Sequence, residues 1–165
     1  MYSNYNYYRY TMLNNEDNNK LFNSEENITL NQSIELIKQS ISDEKEDELF
    51  YDSLIAQAKT EKEKYIIRSI RDDERVHNYI LRDLYYEFTG QKLPQFEPAK
   101  KIDNTLSYKN SLEKALFGEI SAVKKYRKIM GTMPSGKSYN LLMSIMTDEL
   151  THADKFNYLL LISNN

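Results

Sequence analysis

The chain contains two histidines, and each closes an Asp-Glu-x-x-His run: Asp73, Glu74 and His77 in the first, Asp148, Glu149 and His152 in the second. On an α-helix, residues three apart share a face and lie about one turn from each other along the axis. Glutamate and histidine at that spacing can therefore aim a carboxylate oxygen and an imidazole nitrogen at one metal ion. A single run of this kind carries little weight, because helix surfaces are rich in glutamate. Two runs that use every histidine in the chain carry far more.

Laying one run on the other sets an offset of 75 residues, 152 − 77. The same offset pairs Glu44 with Glu119, Tyr51 with Tyr126, Ile70 with Ile145 and Asp73 with Asp148. Most other paired positions differ in identity but stay apolar on the seam. The pattern predicts two helical hairpins related by a pseudo-two-fold axis. It also selects the remaining carboxylates. Glu44 and Glu119 each precede the glutamate of their own hairpin's run by 30 residues (74 − 44 and 149 − 119) and fall on apolar seams. A lone carboxylate there is costly to desolvate, and a divalent cation offsets that cost by compensating the buried charge. Four glutamates and two histidines drawn from four helices make a site for two metal ions. Mixed imidazole and carboxylate donors favour iron or manganese over zinc.

The elements that must position these groups follow from the periodicity. From Ser33 onward Ile37, Ile41, Glu44, Glu48, Tyr51, Ile55 and Ala58 recur at alternating spacings of four and three, the seam of a bundle helix. Thr60 to Glu63 is a capping-box signature opening a second helix, with Ile67, Ile70, Glu74, His77, Leu81, Leu84 and Phe88 on its seam and Gly90 as its stop. Residues 91–106, with Pro94 and Pro98, form a long connection. A third helix carries Leu112, Leu116, Glu119, Val123, Tyr126 and Met130; Gly131 to Gly136 breaks it. The fourth carries Leu142, Ile145, Glu149, His152, Phe156 and Leu159. Short turn, long crossover, short turn gives an all-α fold: a four-helix bundle with one long crossover, spanning residues 31–165.

Residues 1–30 differ. Five tyrosines fall in the first ten positions, followed by Asn, Asp and Glu without helical or strand period. That composition predicts a flexible arm, or an aromatic arm for assembly or cross-linking.

Composition narrows the function classes. At 165 residues, 40% apolar and 28% charged, the chain is an ordinary single soluble domain. A net charge of −3 with Lys and Arg dispersed among acids speaks against nucleic acid. No apolar run approaches the roughly 20 residues needed to span a bilayer, and the N-terminus lacks the basic-then-apolar order of a signal peptide. The absence of cysteine excludes disulfides, thiolate ligands and cysteine catalysis, and it fits a cytoplasmic location.

Taken together, these residues resemble the ferritin-like superfamily in its rubrerythrin and bacterioferritin branch, over residues 33–161. The resemblance implies two iron ions, with manganese as the alternative. Glu44 and Glu119 would each bind one ion, Glu74 and Glu149 would bridge both, and His77 and His152 would cap one each. It further implies that Tyr51 and Tyr126 stand near the cluster as candidate catalytic groups. Asp73 and Asp148 would hydrogen-bond the ligand histidine of the opposite hairpin. The sequence also departs from the family. Rubrerythrins carry a cysteine-rich rubredoxin domain, and a further glutamate three residues after the third-helix ligand, where this chain has Ala122. Glu48 is a surplus seam carboxylate, expected to reach solvent or to hydrogen-bond near the site, with an alternative ligand or proton donor as the other reading. No haem-binding methionine or cage-forming fifth helix of the bacterioferritin kind is assignable.

The function the resemblance implies is a di-iron oxidoreductase reacting with hydrogen peroxide or dioxygen as a homodimer, its electrons coming from an external donor such as rubredoxin. Alternatives are ferroxidase activity with iron storage, manganese catalase-like dismutation, and a structural or assembly protein whose metal stabilises the bundle.

Overall fold

A computed structural model of the chain describes residues 28–94 and 106–163. Among these, all regular structure is helical: α1 (Leu30–Gln57), α2 (Glu61–Thr89), α3 (Tyr108–Met130) and α4 (Lys137–Ser163). Residues 1–27 of the tyrosine-rich arm, and residues 95–105 of the connection between α2 and α3, lie outside the described residues.

Local chemistry sets the helix ends. Thr29 caps α1, its hydroxyl accepting from the Gln32 amide while the Gln32 side chain accepts from the Thr29 amide. The helix therefore starts three residues before the Ser33 expected from periodicity, because a reciprocal cap satisfies the first free N–H groups. Thr60 and Glu63 form the same box at α2, as the sequence predicts. Gly90 ends α2 in the left-handed region at φ 68°, where a side chain would be strained.

The helices pair as two hairpins, α1 with α2 and α3 with α4; α1 also packs on α3, and α2 on α4. Side-chain contacts give the directions. Thr132, just past α3, donates to Ser33 near the start of α1, and Lys62 near the start of α2 donates to Tyr158 near the end of α4. Both cross-hairpin neighbours are therefore antiparallel, and α2 ends at the opposite end of the bundle from the start of α3. None of the described helices is long and apolar enough to cross a membrane.

Two apolar clusters fill the interior, one toward each end. One contains Ile37, Leu81, Tyr126 and Ile145; the other contains Leu112, Phe156, Tyr51 and Ile70. Each residue of the first is the 75-residue mate of the corresponding residue in the second, so the internal repeat is physically a swap of the bundle's two ends. Each fully buried Leu, Ile or Phe contributes about 1.5–3 kcal/mol by leaving water. These clusters hold the helices in register around the layer between them.

Four expected core positions, Ile55, Phe88, Leu116 and Val123, are half-buried. Beside two of them, Leu54 next to Ile55 and Ala115 next to Leu116, the neighbour lies in the interior instead, because the buried stripe of a bundle helix is wider than a strict seam.

Candidate metal centre

Between the two apolar clusters lie Glu44, Glu74, His77, Glu119, Glu149 and His152, each no more than 4% exposed. All six come from the sequence pattern, and the structure brings all six together. Each helix supplies one face of the layer: α1 gives Glu44, α3 gives Glu119, and α2 and α4 each give a Glu and a His one turn apart.

Two of the three His77 distances repeat at His152 across the pseudo-two-fold axis. His77 Nδ1 lies 3.0 Å from Glu74, 3.2 Å from Glu149 and 3.8 Å from Glu44. His152 Nδ1 lies 3.1 Å from Glu74 and 3.6 Å from Glu119. The imidazole rings face each other at 5.7 Å between centroids. Two groups of donor atoms, each within 4.8 Å of one another, result: Glu44, Glu74, His77 and Glu149, and Glu74, Glu119, Glu149 and His152. Glu74 and Glu149 belong to both.

The far ring nitrogens fix the histidine tautomers. His77 Nε2 is 3.3 Å from Asp148, and His152 Nε2 is 3.1 Å from Asp73, in each case the acid of the other hairpin. An ionised carboxylate only accepts, so Nε2 carries the hydrogen and Nδ1 is left to point inward. Asp73 and Asp148 are half-exposed, and each reaches in from the surface to hold a buried ring. Replacing either with Asn is expected to weaken metal affinity about 10–100-fold with little change in fold, the usual result of losing a partner that orients a ligand. Isothermal titration against circular dichroism checks this.

Tyr51 and Tyr126 each cross between hairpins. The Tyr51 hydroxyl donates to Glu119 at 2.5 Å, and the Tyr126 hydroxyl donates to Glu44. Burial, then the adjacent carboxylate charges, push both phenols well above their usual range, so both keep their protons. Their contacts are with carboxylates, which they position.

The electrostatics call for positive charge. Burial raises Glu74 and Glu149 well above the ordinary carboxylate range, reinforced by Glu44 for Glu74 and by Glu119 for Glu149. Burial pushes Glu44 up as well, but bonding to His77 outweighs it and holds the group down to about 2. Burial would depress both histidines, yet the hydrogen bonds His77 donates toward Glu149 and His152 donates toward Glu119 raise them instead. Even so, the pairing in this layer is loose: Glu74 Oε1 and His152 Nδ1 lie 3.1 Å apart and Glu149 Oε1 and His77 Nδ1 3.2 Å apart, without a well-aligned hydrogen bond. Donor atoms from both hairpins, converging on one layer, suit a cation that accepts lone pairs from all of them.

Glu48 turns out of this layer. It is buried, but Lys45 at 2.5 Å and Arg75 at 2.8 Å engage its two oxygens, so its charge is balanced from outside. Asp47, one turn beyond Glu44, was not legible as a site residue. It lines a cleft of about 360 Å³ between α1 and α3, together with Glu44, Glu119 and Glu149. Burial, then the Glu44 and Glu119 charges, raise its pKa well above the usual range. The available signal was its spacing of three from Glu44, but its repeat mate is Ala122, so the symmetry that found the other groups passed over it.

Fold and site together define an all-helical four-helix bundle whose interior holds Glu and His groups that could bind a metal ion. Comparison with protein-family models, curated proteins and solved structures finds no match.

Proposed function

We propose that the chain is a ferritin-like di-iron protein of the rubrerythrin and bacterioferritin kind that reacts with hydrogen peroxide or dioxygen. The observation that carries this reading is the pair of overlapping donor groups sharing Glu74 and Glu149. On this reading Glu44 and His77 serve one ion, Glu119 and His152 the other, and the shared glutamates serve both. Residues 91–106 are then the long crossover expected between α2 and α3. Manganese is the alternative metal for the same donors.

Iron held by these residues would supply one electron per ion, two for a pair, enough with two protons to take hydrogen peroxide to two waters. The residues of the chain provide the setting for that chemistry. Asp148 and Asp73 keep Nδ1 of each histidine turned inward. Tyr126 and Tyr51 hold protons against Glu44 and Glu119, setting the direction of the oxygens those glutamates leave free. The apolar clusters on either side exclude bulk water, which strengthens every electrostatic interaction in the layer. The cleft between α1 and α3 is wide enough for a molecule the size of peroxide to reach it. Electrons for further turnovers come from a separate donor such as rubredoxin, and the assembly proposed is a homodimer.

The test is anaerobic titration with ferrous ion, then mixing with either oxidant. The expected result is an end point at two ions per chain and oxidation that is rapid with peroxide and slower with dioxygen. An absorption spectrum unchanged by both oxidants would overturn the reading. Uptake of many irons by a large shell would replace it with storage, and oxygen release from peroxide by a manganese-loaded protein would replace it with dismutation.

A further inference from the structure

The cleft between α1 and α3 has two unlike walls. On α1 it is lined by Asp43, Glu46 and Asp47; on α3, by Gly118, Ser121 and Ala122. These are repeat mates in pairs (43 + 75, 46 + 75 and 47 + 75), so the cleft sits astride the pseudo-two-fold axis with acids on one side and small residues on the other. Small side chains open the space, and acids set its charge. Lys125 is the cation of the lining, and it is held at 2.7 Å by Asp43 at the rim. Asp47 makes no hydrogen bond or ion pair with another described residue, and it stands one helical turn above Glu44. On the floor, Glu149 is 2% exposed, and its Oε1 faces the His77 ring nitrogen at 3.2 Å without a well-aligned hydrogen bond.

We propose that this cleft is the route by which divalent cations reach the Glu and His layer, with Asp47 as the carboxylate that passes them from the rim to Glu44 and Glu119. The proposal rests on the metal-binding reading above. A low-dielectric cleft lined by one sign of charge concentrates counter-ions and raises their arrival rate. An ion drawn past the Asp43–Lys125 pair would exchange water for Asp47 oxygens, then for those of Glu44 and Glu119. On the opposite side of the layer, Asp73 and Asp148 are engaged with the two histidines.

The experiment is anaerobic stopped-flow mixing of the full chain with cobaltous ion alone, followed by its visible absorption, beside an equilibrium titration. Asp47→Asn keeps shape and removes charge, and it is expected to slow uptake about tenfold and flatten its dependence on salt. Ala122→Leu plugs the cleft and is expected to slow uptake at any salt concentration. Asp72→Asn, the same charge change on the exposed face of α2, should leave the rate unchanged. Equilibrium stoichiometry should be that of wild type in all three. Wild-type rates in both cleft variants, with stoichiometry intact, would overturn the route and leave the metal site standing. Failure of the unmodified chain to bind cobalt at equilibrium would overturn the metal site and the route together.

Discussion

Glu74→Ala is expected to abolish paired metal binding, whereas Glu44→Ala removes the place of one ion and keeps the other. The contrast follows from membership of the donor groups. Glu44 belongs to one group and Glu119 to the other, while Glu74 and Glu149 belong to both. Losing an unshared carboxylate leaves three donors on one side and four on the other. Losing a shared one leaves three on each side and removes the negative charge between two cations that repel each other. Loss of a partner that only orients a ligand weakens affinity about 10–100-fold, and loss of a shared ligand must exceed that. Anaerobic ferrous titration should therefore end near two ions per chain in the unmodified protein, near one in Glu44→Ala, and show no saturating uptake in Glu74→Ala or Glu149→Ala. Equal stoichiometry in the Glu44 and Glu74 variants would refute the sharing. The apo proteins should remain folded, since Glu74 is not needed to fill an apolar cluster and its burial without a cation is unfavourable.

The fold and most of the site were readable because the same residues carried two signals. Glu44 and Glu119 interrupt apolar seams, and they also stand at one offset from each other and from the Asp-Glu-x-x-His runs. Either fact alone is ordinary, but the two together single them out from Glu46 and Glu48. The tyrosines and Asp73 and Asp148 were legible for the same reason, since both members of each pair survive at the offset. Glu48 shows what a seam position leaves undetermined. Its helix face is inward, but Lys45 on its own helix and Arg75 on the next turn its carboxylate aside. No one-dimensional pattern carries that choice, because a rotamer is decided by neighbours in space. Asp47 shows the reverse failure. Its importance lies in asymmetry against Ala122, and a method built on matching pairs discards unmatched ones. The connection between α2 and α3 was legible only as a length with prolines in it. Helical periodicity says nothing of the path of a segment that has none.

Metal removal should produce the second large effect, on stability. A ligand that binds only the folded chain stabilises it by about 2.7 kcal/mol when present at a hundred times its dissociation constant. Two ions in adjacent groups should therefore contribute about 5 kcal/mol under such conditions, comparable with the whole stability of a small domain, about 5–15 kcal/mol. For a chain of this size that corresponds to a rise in unfolding temperature of about 10–20 °C, followed by calorimetry with the metal and with a chelator. The gap should also widen as pH rises. In the chelated protein Glu74 and Glu149 have folded-state values well above 4.5, raised first by burial. The stability linked to their protonated forms is fully present below 4.5, their unfolded value, and is lost as pH climbs through the raised values. His77 and His152 are raised too, so their share is full below 6.5 and is lost in the same direction. Glu44 is lowered to about 2, so its share is already complete above 4.5 and does not change across the neutral range. A cation replaces those protons and binds better once they have left, so the loaded protein escapes the decline that the chelated one suffers. The same scans on Glu74→Ala should show no response to metal. Coincident unfolding of loaded and chelated wild type across this pH range would mean that the buried carboxylates are balanced by protons alone.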